Sequence, residues 1–217
     1  MLDEFQLRRV RTLFPSVPDP DKALVAMIDA EAHRRGGRDA ISGAFHALAL
    51  TQGSLLKEEY DLSTHGHHSG WVMGAVVVDI RELTVVNMNH EFEMGDRVLR
   101  HTASALERAF PKAKVVRVHS DAFAVLLGPT SEETVAPQMI QRARDALNVA
   151  PPLPLQFSVG LFELTVVAPS HWQVLGPLVW AEAERALVLA RRAPSAQILK
   201  RQIVLDGGLP EEALSGR

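Results

Sequence analysis

The sequence has 217 residues, of which 47% are apolar, with 23 Lys and Arg against 26 Asp and Glu and no Cys. That length accommodates one domain of roughly 150–180 residues with an appendage. A net charge of −3 argues against nucleic-acid binding, because phosphates need a concentrated basic face. The lack of Cys excludes disulfides, iron–sulfur clusters, thiolate zinc sites and a cysteine nucleophile. We expect a cytoplasmic chain without a signal peptide or membrane span.

Residues 1–38 are predicted to form a helical extension. Its second predicted helix, residues 21–35, places Leu24, Val25 and Ile28 on one face. A helical hairpin of this size buries little apolar surface alone. We therefore expect it to dock on the main domain or on a second chain.

After residue 38, predicted helices and strands alternate. The apolar run at residues 72–80 is typical of a strand buried on both faces. The other predicted elements are helices at 45–60, 96–110, 131–149 and 171–192, a hairpin of strands at 114–118 and 122–127, and strands at 155–162 and 197–205. This alternation predicts a layered α/β domain with a mixed sheet.

Two carboxylates stand at the ends of predicted strands. Asp79 follows a run of three valines, and Asp121 lies at the predicted hairpin. Carboxylates at adjacent strand ends can share a divalent cation, because hard cations prefer oxygen ligands. The alternative from the residues alone is that Asp79 caps the next helix and Asp121 is a turn residue.

Five short motifs follow one another through residues 39–205. They are DAISG at 39–43, DIRELTVVN with GDRVL at 79–99, RVHSDAF at 117–123, FSVG at 157–160 and AERALVLAR at 183–191. In this order they resemble the GGDEF domain of diguanylate cyclases. That family carries D-x-L-T-G, D-x-D-x-F-K-x-x-N with G-D-x-x-L, R-Y-G-G-D-E-F, S-x-G and A-D-x-A-L-Y-x-A-K. Residues 206–217 remain as a tail.

The resemblance implies a fold and a chemistry. The fold is a mainly antiparallel sheet of four or five strands flanked by helices, like the palm of nucleotide polymerases and cyclases. Family members bind one GTP per subunit, and two facing subunits make cyclic di-GMP with the help of two metal ions. By this resemblance Asp79 and Asp121 match metal carboxylates, and Asn87 and Asp96 match the residues that read guanine.

The signature motif departs from the family pattern. Ala122 replaces the signature Glu, which in the family serves the metal and the 3′-hydroxyl, and a methyl group can do neither. His119 and Ser120 replace both glycines, so that Asp121 and Phe123 are what remains of the signature. We expect the added Cβ atoms to crowd the phosphates, and a left-handed turn to strain these residues.

The phosphate-binding positions depart as well. Thr84 and Ser195 stand where the family has cations, which leaves Arg191, in place of a Lys, as the residual phosphate contact. Each lost contact is worth about 1.5–3 kcal/mol. Residues 110–113 also lack the R-x-x-D pattern of product feedback. We expect no cyclase activity.

Several of these residues also have a structural explanation. Asp96 can cap a helix that begins there, and Asn87 can lie in a turn. The remaining His and Arg groups are expected to be solvated rather than ligands: His65, His67 and His68 in a polar loop, and the pairs Arg8-Arg9, Arg34-Arg35 and Arg191-Arg192.

The sequence therefore predicts a catalytically inactive GGDEF-type domain of bacterial signalling that acts by binding a protein partner. Residual binding of GTP or another guanine nucleotide is expected at Asn87 and Asp96, with no required cofactor and Mg²⁺ only alongside a nucleotide. A homodimer is left open. Two alternatives are also left open: a weak cyclase completed by its partner, and a sensor of GTP or cyclic di-GMP.

Overall fold

The computed structural model describes residues 37–51, 55–56, 71–128, 136–167, 172–192 and 198–204. Residues 1–36, the His65, His67 and His68 loop, Ser195 and the tail lie outside these ranges, and the expectations about them stay predictions.

Helices and strands alternate through the described residues. In chain order they are β1 (Phe45–His46), α1 (Ala47–Thr51), β2 (Trp71–Ile80), α2 (Leu83–Ala109), β3 (Lys114–Arg117), β4 (Ala122–Leu127), α3 (Gln138–Leu147), β5 (Phe157–Val167), α4 (Trp172–Arg192) and β6 (Ile198–Val204). None of the described helices has the length and apolarity needed to cross a membrane.

The described strands form one sheet of six, in the order β1-β3-β4-β2-β5-β6. The central pairs β3–β4, β4–β2 and β2–β5 are antiparallel, whereas the edge strands β1 and β6 run parallel to their neighbours. This confirms the predicted mixed, mainly antiparallel sheet, with more strands than the four or five expected. The two-residue strand β1 was missed because its span is too short to show alternation.

Helices cover both faces of the sheet, so the domain has two cores. Alternate residues of β2 serve them: Val76 and Val78 pack with α2 and α3, whereas Ala75 and Val77 pack with α1 and α4. All four are fully buried, which confirms the strand buried on both faces. Asp79 continues the second set, and so its side chain leaves the sheet on the α4 face.

Several predicted boundaries were wrong. Helix α2 begins at Leu83 rather than at residue 96, and β5 extends five residues past its predicted end at 162. Pro177 lies inside α4 without ending it. Leu175 and Val179 on either side of Pro177 are fully buried, and this packing holds the helix where the proline removes a backbone hydrogen bond.

Candidate nucleotide and metal site

Two carboxylates and one guanidinium meet where the central strands end. Asp79 pairs in register with Ala122, the first residue of β4. The amide of Ile80 donates to the carbonyl of Asp121 at 2.9 Å, which sets the two aspartates side by side. Arg191 reaches both from the C-terminal end of α4. The structure thus brings together three residues that the sequence singled out separately.

The charges of this cluster are partly balanced. The guanidinium of Arg191 donates a hydrogen bond to Oδ1 of Asp79 and lies 3.8 Å from Oδ1 of Asp121. The bond to Asp79 raises the pKa of Arg191 above its ordinary value. Burial, together with the charge of Asp79, raises the pKa of Asp121, and Arg191 offsets this only in part. One cation therefore serves two carboxylates.

The last turn of α4 is fastened to the sheet, and this positions Arg191. Arg81 donates from its second terminal nitrogen to the carbonyl of Arg191 at 2.9 Å and from Nε to Oγ of Ser158 at 2.8 Å. Two residues further along β5, a Cβ built on Gly160 would lie 3.1 Å from the Cβ of Ala190. The helix therefore lies so close to β5 that a side chain at this position would crowd it.

A divalent metal would meet a poor set of ligands here. Mg²⁺ requires a nearly ideal octahedron of oxygens. Ala122, beside Asp79 in the sheet, offers only a methyl group, and Arg191 already occupies Oδ1 of Asp79. Within the described ranges, no three His, Asp or Glu side chains come together as a metal cage. The residues as they stand do not fit a bound divalent metal.

The turn between β3 and β4 accepts its non-glycine residues without strain. Among the described non-glycine residues, positive φ occurs at Glu82 and Ala150 and not at His119 or Ser120. The left-handed strain expected at the turn is therefore wrong. The Arg117 side chain donates hydrogen bonds to two carbonyls of the turn. Its Nε lies 3.2 Å from the carbonyl oxygen of His119, and one terminal nitrogen lies 2.6 Å from that of Ser120.

The side chain of His119 extends from the turn to α4. Its Nε2 lies 2.5 Å from Oε1 of Glu184, and its ring meets that of Trp180 edge to face with centroids 5.4 Å apart. In the family pattern this position is a glycine with no side chain. The imidazole and its two partners therefore fill space that a glycine would leave open beside the turn.

Arg117 also ties the first motif to the hairpin. Its guanidinium lies 2.9 Å from Oδ1 of Asp39, and the two side chains are only 9% and 13% exposed. The amide and hydroxyl of Ser42 donate to the same oxygen at 2.7 Å each. Burial alone would raise the pKa of Asp39, but the charge of Arg117 and the bonds from Ser42 outweigh it and lower the pKa below 3.8.

Both predicted base-reading residues lie on α2, where Asn87 approaches the residue that precedes Asp96. A Cβ built on Gly95 would lie 2.9 Å from Cγ of Asn87, although eight residues of straight helix would separate these positions by about 12 Å. Although α2 is continuous from Leu83 to Ala109, its path between Asn87 and Gly95 is therefore not straight, and the Asn87 side chain lies next to the residue preceding Asp96. Asn87 does not lie in a turn, and Asp96 lies inside α2 instead of capping it, so both structural explanations were wrong.

Sequence reasoning missed the ion pairs of this site. Arg191 was expected on a solvated face but binds Asp79. The alternative role of Asp79 as a helix cap is wrong, because the residue at that position of α2 is Glu82, which makes no side-chain cap bond. One signal was available: Arg81 stands where the family pattern has its second Asp, so a cation has been added at the strand end.

The comparisons with known proteins agree on one domain type. The family model described as "Diguanylate cyclase, GGDEF domain" matches residues 54–171. No curated protein sequence matches the chain.

Three solved structures illustrate the likeness in fold. The GGDEF domain of TpbB (YfiN) from Pseudomonas aeruginosa is 19% identical over 76% of this chain and 93% of its own, with a TM-score of 0.54. The diguanylate cyclase SiaD from the same organism, solved with its activator SiaC, is 20% identical over 91% and 74%, at 0.53. A sensory box/GGDEF family protein from Caulobacter crescentus is 21% identical over 72% and 98%, at 0.56.

Proposed function

This chain belongs to the GGDEF domain family of diguanylate cyclases, and we propose that it is a catalytically inactive member that regulates a protein partner in bacterial cyclic di-GMP signalling. The observation that carries the proposal is Ala122. It is fully buried beside Asp79, at the position of the signature Glu. A methyl group there neither binds a metal nor accepts a proton from a 3′-hydroxyl.

The surroundings of Ala122 support the loss of catalysis. The family reaction relies on metal ions to bring a hydroxyl to an α-phosphate. Here Arg191 engages Asp79 directly, and His119 fills space beside the turn through its contacts with Glu184 and Trp180. All of these contacts are made within the chain, and they position the carboxylates and the turn without a bound ligand.

A chromatographic assay for cyclic di-GMP tests the inactivity. The full chain is incubated with GTP and Mg²⁺ or Mn²⁺, and we expect no product. The matched control is Asp79→Asn, which removes one of the two carboxylates. Product from the wild-type chain that vanishes in Asp79→Asn would overturn the proposal.

The proposed regulatory contact lies in the predicted extension, residues 1–38. Its apolar stripe at Leu24, Val25 and Ile28 lies outside the motifs of the domain and would have little to cover it without a partner or a second copy. SiaD, which was solved with a separate activator protein, lends support to a partner for this kind of domain. We place the chain in the cytoplasm, where cyclic di-GMP signalling would require it.

Paired substitutions test this contact in the full chain. Ile28→Glu puts a charge on the predicted apolar stripe, whereas Ala30→Glu puts the same charge on the opposite face of the predicted helix. Light scattering and pull-down should show association lost in Ile28→Glu and kept in Ala30→Glu. Equal association in both variants would mean that the extension only packs on the domain.

A second function is favoured by the residues that match the family. Asp79, Asp121, Asn87 and Asp96 all stand at family positions. With these groups the chain would form half of a cyclase that its partner completes, or would sense GTP or cyclic di-GMP. Product formed only when the captured partner is added to the same assay would establish the first of these, and calorimetric binding of cyclic di-GMP would establish the second.

A further inference from the structure

We propose that Arg191 is a built-in cation that takes the place of a divalent metal between Asp79 and Asp121, so that this carboxylate pair is a latent metal site closed by the chain's own guanidinium. This inference deepens the proposed function and rests on it. The chain keeps two carboxylates at the ends of adjacent strands, and Arg191 supplies the positive charge that compensates them.

The carboxylates require a cation wherever it comes from. Asp79 is only 5% exposed, and Asp121 lies beside it across the β2–β4 pair. Two carboxylates this close repel one another, and a buried charge without a partner is strongly unfavourable. Arg191 meets both, with a hydrogen bond to Asp79 and a 3.8 Å approach to Asp121. It supplies the positive charge that a metal would supply.

Arg191 is held in position by its backbone as well as by its side chain. Arg81 bonds the carbonyl of Arg191, and the close approach of α4 to Gly160 fixes the distance from helix to sheet. Arg191 also lies in the last turn of α4, where the helix dipole favours a cation. A metal would have to displace the guanidinium of a residue whose backbone is bonded to Arg81 and whose charge the end of the helix favours.

If the guanidinium stands in for a metal, removing it by mutation should allow a metal to bind. Removing the guanidinium and leaving a shorter, uncharged side chain would leave the two carboxylates next to each other without a cation. Oxygen pairs of this kind attract Mg²⁺ and Mn²⁺, with water completing the coordination shell. Arg191→Gln should open the site, and Arg192→Gln, which removes the same charge from the next residue, exposed like Arg191, is the matched control.

The test measures Mn²⁺ binding by electron paramagnetic resonance and thermal stability with and without Mn²⁺, in the full chain. We expect Arg191→Gln to lose about 5 °C in Tm without metal, to recover it with Mn²⁺, and to bind Mn²⁺ at least tenfold more tightly than the wild type. Adding Asp121→Asn to Arg191→Gln should abolish this binding. Arg192→Gln should behave as the wild type.

Two results would overturn the inference. Wild-type chain that binds Mn²⁺ as tightly as Arg191→Gln would show that the guanidinium does not occupy the metal position. If Arg191→Gln folds, as judged by a single cooperative melt, and binds no Mn²⁺, the carboxylate pair is not a latent metal site. Neither result depends on product formation, so cyclic di-GMP made by the wild type would contradict the proposed function by a separate measurement.

Discussion

The two sides of the candidate site differ in what their residues contact. On the helix side, formed by Asn87, Gly95 and Asp96, the residues match the family pattern, and Asn87 packs against Gly95. On the hairpin side, formed by residues 79, 117–122 and 191, substitutions have turned ligand positions into contacts within the chain. A site can therefore lose its ligand chemistry where the chain supplies its own counter-charges, while tight packing keeps another part of the same site unchanged.

The largest expected effect lies on the hairpin side, at Arg117. This residue is 9% exposed and binds Asp39 and the carbonyls of both turn residues. Arg117→Met should lower the free energy of unfolding by about 3–5 kcal/mol, because it leaves a buried carboxylate without its cation. Urea unfolding measures this loss.

An exposed ion pair provides the control for Arg117. Arg38 and Glu107 lie 3.4 Å apart with side chains 46% and 45% exposed. Glu107→Gln, which removes this pair and leaves the bond of Arg38 to the Gly43 carbonyl and its stacking on Phe45 in place, should change the free energy of unfolding by no more than about 1 kcal/mol. Similar losses in Arg117→Met and Glu107→Gln would contradict the account of the hairpin side as internally paired.

A smaller effect on the same side is a dependence on pH at Asp39. The folded pKa of Asp39 lies below its ordinary 3.8, so its pairing stabilises the fold above that value and the stabilisation is lost as the pH falls through the folded pKa. Urea unfolding at a series of acidic pH values should show this loss in the wild type. Asp39→Asn, which cannot titrate, should show a flatter curve, and parallel curves would contradict the pairing.

The smallest expected effect lies on the helix side, between Gly95 and Asn87. A Cβ at position 95 would collide with the Asn87 side chain, whereas Ala in place of Gly favours a helix by about 0.8–1 kcal/mol. A double-mutant cycle of Gly95→Ala and Asn87→Ala separates the two effects. We expect a coupling of about 1 kcal/mol, with Asn87→Ala relieving the collision, and energies that add within about 0.5 kcal/mol would contradict the contact.

The sequence predicted the architecture better than it predicted the contacts of the site. The buried run at residues 72–80 and the hairpin that follows could be read from apolar patterns, because burial on both faces leaves a strong signal. The close approach of Asn87 to Gly95 could not, since α2 is continuous through both positions and a regular helix would separate them. The pairing of Arg191 with Asp79 depends on how closely α4 approaches β5, a distance that no local pattern encodes.

Calorimetric titration with GTP, GDP, GMP and ATP tests the difference between the two sides most directly. If the base-reading pair is kept and the phosphate contacts are lost, the three guanine nucleotides should bind weakly, with Kd on the order of 0.1–1 mM, and within about tenfold of one another. ATP should bind more weakly than all three. Asp96→Ala, with its fold checked by melting, should remove this preference.

Two outcomes of that titration would contradict the account. Micromolar binding of GTP with a hundredfold loss on going to GMP would show that the hairpin side still grips phosphates, with Arg191 released from Asp79. Equal binding of ATP and GTP would show that Asn87 and Asp96 no longer read the base. The account predicts instead a guanine preference that is nearly indifferent to the number of phosphates.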